Sequence, residues 1–289
     1  MKRLPEKILL ATDGSEDAKL AARAAADLSG KTGAELHVIH AWQYTPHPLL
    51  EPELYEKEAW RLLEEQTQQI SGAAVRESHL KMAPAVDAIL DLGEEIGADL
   101  IAVGSRGHGP IGRLLLGSVS EGVVHHATRP VLVLRGGQDS WPPERVVIGD
   151  DGSEVAKKAG EMAASIGDLF GARDVLVRAY PELPETDQAG RALDPRAVDD
   201  AMHRAEQDLH ERAEELGRLV GRRPRVEIAA GDAALALLEE AREGDETRAL
   251  IAVGSRGLGL ARRLRLGSVS TKVLRAAGGP VLVYPLAET

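Results

Sequence analysis

The chain has 289 residues, of which 43% are hydrophobic and 28% charged, carries a formal net charge of −11 and contains no cysteine. The length and composition predict a globular protein of about two domains, and the cysteine count excludes a disulfide scaffold and a cysteine-ligated zinc site. The acidic balance argues against broad binding to nucleic acid or to an anionic membrane, because both require clustered basic residues.

The apolar runs are far shorter than the roughly 20 residues that span a bilayer. The first residues, MKRLPEKILLATDG, become polar before a signal-peptide core could form. We therefore expect a cytoplasmic protein.

In the first half, short runs rich in Val, Ile and Leu alternate with longer amphipathic segments. Strands are predicted near residues 7–12, 34–41, 79–83, 98–103 and 130–135, and helices near 15–29, 52–76, 84–96 and 118–127. Strands that are apolar on nearly every residue and alternate with helices predict a parallel sheet covered on both faces. The fold class is thus α/β, a doubly wound five-stranded sheet, and ligands of such sheets bind beyond the carboxyl ends of the strands.

The second half repeats the first. LIAVGSRG at 100–107 recurs at 250–257 with an offset of 150, whereas ILLATDGSE at 8–16 matches VVIGDDGSE at 146–154 with an offset of 138. The second copy is therefore 12 residues longer (150 − 138), and we expect the extra length within 181–231. Strands are predicted near 145–149, 173–180, 225–230, 248–253 and 280–284. GGQDSWPP has the composition of a linker, and we predict tandem domains at 1–138 and 139–289.

A glycine loop follows the fourth strand of each copy. It reads Gly104-Ser-Arg-Gly107, then nine residues, then Gly117-Ser118, and the second copy repeats the spacing at Gly254, Gly257, Gly267 and Ser268. Glycines let backbone N–H groups approach an anion, and the helix that begins at the serine points its positive end to the same place. The loop is therefore suited to phosphate.

Plainer interpretations stay open for several of these residues. The glycines can serve only a turn, and Asp13 can form an Asx turn before a helix capped by Ser15. Arg106 and Arg256 either cover phosphate or are solvated.

Two nucleotide motifs are excluded, and a shared catalytic histidine is not expected. Residues 107–112 satisfy G-x-G-x-x-G, but they follow a fourth strand, and the second copy has Arg262 in place of the third glycine. Neither loop contains a Walker A motif. His40, His108 and His125 correspond to Arg178, Leu258 and Arg275, so a histidine base common to both copies is not expected.

The loop spacing, the Asp at the end of the first strand and the closing PVLVL closely resemble the ATP-binding branch of the universal stress protein family, over essentially the whole chain, twice. The resemblance implies a flavodoxin-like, Rossmann-like domain in each copy and ATP with Mg²⁺ held through the phosphates. The implied first site is Asp13, Ala41, Gly104, Arg106, Gly107, Gly117, Ser118, Val119 and Ser120. The implied second site is Asp151, Ala179, Gly231, Gly254, Arg256, Gly257, Gly267, Ser268, Val269 and Ser270. One departure is Met82, which aligns with Gly231 when KMAPA (81–85) is set against AGDAA (230–234).

The expected function is a nucleotide-dependent stress-response regulator that binds one ATP per domain, with slow hydrolysis at most. An ATP-using ligase or phosphotransferase and a scaffold with vestigial loops are the alternatives. We expect the closing strands, VLVL and VLVY, to pair so that the two domains form an internal pseudo-dimer, because each would otherwise leave an open sheet edge. A homodimer of chains stays open, and the sequence identifies no protein partner.

Overall fold

The computed structural model describes residues 3–44, 52–107, 116–180, 195–243, 246–256 and 266–286. The first half contains β1 (Lys7–Ala11), α1 (Glu16–Thr32), β2 (Glu35–Trp42), α2 (Pro52–Gln68), β3 (Val75–Met82), α3 (Ala85–Glu95), β4 (Leu100–Gly104), α4 (Ser118–His126) and β5 (Val131–Leu134). The second half contains β6 (Arg145–Gly149), α5 (Glu154–Leu169), β7 (Arg173–Tyr180), α6 (Pro195–Val220), β8 (Arg225–Ala230), α7 (Ala233–Arg242), β9 (Ala249–Gly254), α8 (Ser268–Ala276) and β10 (Val281–Tyr284). The doubly wound α/β fold predicted from the alternating pattern is confirmed.

The ten strands in the described ranges form one sheet in the order β3-β2-β1-β4-β5-β10-β9-β6-β7-β8. Neighbours are parallel within each half, and β5 pairs with β10 antiparallel, with Leu132 opposite Leu282. Both leucines are fully buried. The two closing strands thus meet as their apolar sequences led us to expect, and β3 and β8 form the edges of the joint sheet.

The segment between the halves is packed against both of them. The Trp141 side chain is 1% exposed, its Nε1 donates to Asp27 Oδ2 on α1 at 3.1 Å, and its ring meets that of Phe170 edge-on. Near the same junction, Arg135 donates to the carbonyl oxygen of Leu274 at the end of α8, at 2.6 Å. Although its composition is that of a linker, this segment therefore makes buried contacts that hold the two domains together.

Two element boundaries differ from the prediction. Helix α2 ends at Gln68 rather than near residue 76, and β3 begins at Val75 rather than near residue 79. Gly72, with a φ of +88°, lies in the loop between them, a left-handed conformation that suits glycine and is incompatible with a helix through this segment.

The extra length of the second half is divided between two places. The offset between matching residues is 138 at β2 and β7, where Glu35 and Arg173 start the pairing with β1 and β6. It is 148 at the ends of β3 and β8, because Met82 pairs with Trp42 and Ala230 pairs with Tyr180. Ten residues (148 − 138) therefore lie between β7 and β8, as expected. The other two (150 − 148) lie between β8 and β9, where the prediction was wrong.

Among the described residues, no helix has the length and apolar character needed to cross a membrane.

Candidate functional site

A cavity of about 300 Å³ lies in the first half, beyond the carboxyl ends of β1, β2 and β4. β1 pairs with β2 on one side and with β4 on the other, so this is the point where strand order reverses and where such sheets bind ligands. The volume is in the range of small-molecule pockets. The cavity is lined by every first-site residue that the family resemblance implies: Asp13, Ala41, Gly104, Arg106, Gly107, Gly117, Ser118, Val119 and Ser120.

Part of the cavity wall is apolar and was not predicted. It includes Ile39 of β2, Val103 of β4, and Ala85 and Ile89 one turn apart on α3. Their sequence pattern is that of ordinary core positions, and nothing local distinguishes a core side chain from one that faces a cavity. This wall is suited to a flat apolar group.

Helix α4 begins at the cavity without a side-chain cap. Its N-cap is Gly117, which offers no side-chain oxygen to the N–H groups of the first turn. Ser118, Val119 and Ser120 all line the cavity. Because the first N–H groups of a helix have no intrahelical acceptor and carry the positive end of its dipole, this end of α4 is suited to an anion.

Ser120 holds the loop in shape. The single proton of its buried hydroxyl is shared between two carbonyl oxygens, those of Ser105 at 2.8 Å and Gly117 at 2.9 Å from Oγ. The Gly117 N–H also donates to the Ser105 oxygen, at 2.8 Å. These bonds join the start of α4 to the end of β4, so the hydroxyl of Ser120 serves the frame of the loop and its side chain is not directed to a ligand.

Asp13 forms an Asx turn and also lines the cavity. Its Oδ1 accepts the Ser15 N–H at 3.0 Å, and Ser15 caps α1 through the Ala18 N–H at 3.3 Å. A Cβ at Gly107 would lie 2.3 Å from Asp13 Oδ2. Glycine at 107 therefore lets the loop approach the Asp13 carboxylate, which is a tertiary reason for a residue predicted from phosphate binding.

Arg106 is held by Asp17. Its Nε donates to Asp17 Oδ2 at 3.0 Å and its Nη2 to Oδ1 at 3.3 Å, while Ser105 Oγ donates to the same carboxylate at 2.7 Å. The guanidinium is part-buried at the cavity wall. The two roles predicted for Arg106, covering phosphate or lying in solvent, did not include this pairing. The comparison of the copies could not indicate it, because the second copy has Val155 in place of Asp17.

The second half also joins the start of its helix to the end of the preceding strand, with the serine hydroxyl on a different carbonyl oxygen. The Gly267 N–H donates to the Ser255 oxygen at 2.7 Å, and Ser270 Oγ donates to the Gly254 oxygen at 2.6 Å. Helix α8 begins at Ser268 with Gly267 as an N-cap that makes no side-chain bond. The structure places the other predicted second-site residues at matching positions: Asp151 after β6, Ala179 in β7, Gly231 after β8, Arg256 after β9 and Val269 in α8. Gly257, His108 and Leu258 lie outside the described residues.

A buried ion cluster distinguishes the second half. Asp150 replaces Thr12, and its carboxylate pairs with Arg178 and, at 3.3 Å, with Arg212 of α6. Arg178 replaces His40, whose Nδ1 instead contacts the Thr12 carbonyl oxygen at 2.8 Å. The side chain at the position shared by His40 and Arg178 therefore contacts the end of the first strand of its own half, β1 or β6.

Strand register corrects the alignment of Met82 with Gly231. The Ala83 N–H donates to the Trp42 oxygen at 3.2 Å, and the Gly231 N–H donates to the Tyr180 oxygen at 2.8 Å. Ala83 is thus the counterpart of Gly231. Met82 is 67% exposed and lines a different cavity, with Trp42. The sequence comparison was one residue out of register because the two copies differ in length on both sides of this point.

A buried carboxyl group lies in β7, on the strand that carries Ala179. Burial raises the pKa of Asp174 to about 6, and Arg222, 3.5 Å away, partly opposes the shift. Its first-half counterpart is Leu36, so the charge is peculiar to the second copy.

Comparison with known proteins gives a consistent result. The family model described as the universal stress protein family matches residues 5–135 and 143–285. A universal stress protein of Mycolicibacterium smegmatis is 28% identical, over 96% of this chain and 96% of its own length. One from Thermus aquaticus is 40% identical, over 44% of this chain and 97% of its own length. The crystal structure of a universal stress protein from Archaeoglobus fulgidus has a TM-score of 0.69 and 25% identity, over 97% of this chain and 98% of that one.

Proposed function

We propose, from the premise that this chain belongs to the universal stress protein family, that each half binds one ATP as its Mg²⁺ complex and that the chain acts as a nucleotide-dependent regulator of a stress response. The observation that carries the proposal is the cavity in the first half, where an uncapped helix start and an apolar wall face the same space.

The two kinds of surface would divide the ligand between them. The apolar wall would hold the adenine ring, and Asp13 and the backbone near Ala41 the rest of the adenosine end. The N–H groups at the start of α4 and the guanidinium of Arg106 would hold the phosphates. Charge-assisted hydrogen bonds contribute roughly 1.5–3 kcal/mol each, so three or four of them supply enough free energy for a triphosphate despite the net charge of −11.

The geometry favours binding over efficient catalysis. Among the described residues that line the first cavity, Asp13 and Arg106 are the titratable ones. Asp13 accepts a backbone N–H, and Arg106 forms its bidentate pair with Asp17. A ligase or phosphotransferase would need a further acid or base placed for a second substrate.

The test combines identification of a resident ligand with a count of sites. Mass spectrometry of material released from protein purified without added nucleotide shows whether an adenine nucleotide is carried and which one. Calorimetric titration with MgATP should give two sites per chain, and Gly117→Glu and Gly267→Glu should each remove one, because the new carboxylate lies at the helix end proposed for phosphate. We expect at least a 100-fold loss of affinity at the altered site.

Gln69→Glu, which adds the same charge at an exposed position outside the cavity, is the matched control and should leave both sites intact. The scaffold interpretation gains if the wild type binds no adenine nucleotide at millimolar concentration. Retention of two sites in both glycine variants would place the nucleotide elsewhere.

A further inference from the structure

Two imidazoles face each other on the outer strands of the first half. His37 of β2 and His79 of β3 have stacked rings, and His37 Nδ1 lies 3.1 Å from His79 Nε2. Two nitrogen ligands of one tetrahedral zinc ion are about 3.3 Å apart, given Zn–N bonds of about 2.0–2.1 Å. Neither histidine lines the proposed nucleotide cavity, but Ile39 of its apolar wall lies two positions beyond His37, about 7 Å along the strand, and pairs with His79. The pair therefore lies beside that site and outside its lining.

Carboxylates flank the pair on both sides. Glu77 Oε2 lies 3.8 Å from His79 Nε2, and one ligand atom from each of His37, Glu77 and His79 can be chosen so that all lie within 4.8 Å of one another. Glu77 is largely exposed, so its side chain can adjust without disturbing the core. On the far side of His37, Glu35 Oε2 lies 3.7 Å from Nε2.

If the two rings were joined only by a hydrogen bond, the environment of the other ring nitrogen of His37, Nε2, would have no explanation. His37 is 6% exposed, and its Nε2 is buried without a hydrogen-bond partner. A buried polar atom without a partner is costly and calls for an explanation. If Nδ1 binds a metal, Nε2 must carry the proton, and metal-ligating histidines typically donate that second N–H to a carboxylate. Glu35 is the group in position to accept it after a small approach.

The second half shows that the fold does not need these histidines. By strand register, His37 corresponds to Val175, Glu77 to Arg225 and His79 to Glu227. Arg225 pairs with Glu227 at 3.0 Å. The same place in a duplicated domain is therefore occupied by an aliphatic side chain and an exposed ion pair.

We propose that His37, His79 and Glu77 bind a divalent first-row transition-metal ion, and that Glu35 orients His37. Two imidazole nitrogens and one carboxylate oxygen are ligands that suit Zn²⁺. Three protein ligands leave a fourth position for water at the exposed sheet edge formed by β3.

Zinc binding to the full chain, without a histidine tag, treated with chelator and kept free of nucleotide, tests the proposal. Calorimetric titration with Zn²⁺ should show one site in the wild type, and Co²⁺ should give the visible absorption of a tetrahedral N/O complex. His37→Val, which copies the second half, and His79→Gln should each weaken Zn²⁺ binding at least 100-fold. Glu35→Gln should weaken it about 10-fold, as expected for a residue that orients a ligand.

His126→Gln, which removes an exposed histidine of α4, is the control and should bind as the wild type does. Far-UV circular dichroism and MgATP titration of each variant separate loss of the metal site from loss of fold or of the nucleotide site. Absence of a Zn²⁺ site tighter than about 100 µM in the wild type, or undiminished binding in folded His79→Gln, would overturn the proposal. If His37→Val does not fold, His79→Gln and Glu77→Gln decide the outcome.

Discussion

Gly104 lines the proposed nucleotide site, yet its surroundings predict that its first role is to let helix α1 pack on β4. A Cβ at residue 104 would lie 2.6 Å from the carbonyl carbon of Asp17 and 2.7 Å from the Ala18 nitrogen. Unstrained carbon contacts are about 3.5–4.0 Å, so Gly104→Ala requires α1 to move by about 0.8 Å or more. Both obstructing groups are backbone, and rotation of a side chain cannot relieve the contact.

The size of the effect follows from two opposing contributions. Overpacking costs about 1–3 kcal/mol, and the restricted unfolded chain returns about 0.4–1 kcal/mol, since the backbone at 104 is not in the left-handed region. We expect a net loss of about 1–2 kcal/mol. That loss corresponds to roughly 5- to 30-fold faster amide exchange in α1.

The matched substitution is Gly254→Ala. Its Cβ would lie 2.9 Å from Val155 Cγ1, a side-chain atom, and no closer than 3.2 Å to backbone. We therefore expect exchange in α5 to change less than exchange in α1 does in Gly104→Ala. Hydrogen–deuterium exchange of both variants without nucleotide, together with MgATP titration, makes the comparison. Unchanged exchange in α1 with lost ATP binding would refute the packing argument, because Gly104 would then serve the ligand alone.

Three further predictions concern buried charge and the junction of the halves. Asp150→Ala should lower the free energy of unfolding by about 3–5 kcal/mol, because Arg178 and Arg212 lose their shared buried carboxylate; a loss below about 1 kcal/mol in urea denaturation would contradict it. Asp174→Asn should stabilise the protein at pH 7.5 by up to about 3 kcal/mol and less at pH 5. The folded pKa of about 6 exceeds the ordinary aspartate value of 3.8, so the wild type gains stability as pH falls through 6; equal gains at both pH values would argue against burial as the cause. Leu282→Ala should cost about 2–5 kcal/mol and speed amide exchange in both β5 and β10, and a change confined to β10 would count against a shared sheet.

Much of the fold is determined by local pattern. The apolar runs of β1 and β4 and the helical segments between strands carry their own periodicity. Because the chain is duplicated, each element can be assigned in both copies. The glycine spacing around Gly107 and Gly117 likewise marks a loop that joins a strand to a helix. These features depend on neighbouring residues in the chain, and the sequence of a single copy already contains them.

Contacts between distant residues were decided by the tertiary structure. Arg106 meets Asp17, which is 89 positions away, and His37 meets His79 across a strand pair. Neither pairing has a periodic signal, because each depends on strand order and register. The same register assigns Ala83 rather than Met82 to the place of Gly231.

The sequence by itself therefore determined the duplication, the α/β class and, through the family resemblance, the loop and strand-end residues at the first cavity, but not its apolar wall. The tertiary structure decided how the halves join through β5 and β10, which side chains hold one another, and where the buried charges find partners. The physical reason is range: backbone conformation follows short-range sterics and the alternation of apolar residues, whereas side-chain partnerships form only when remote segments are brought together.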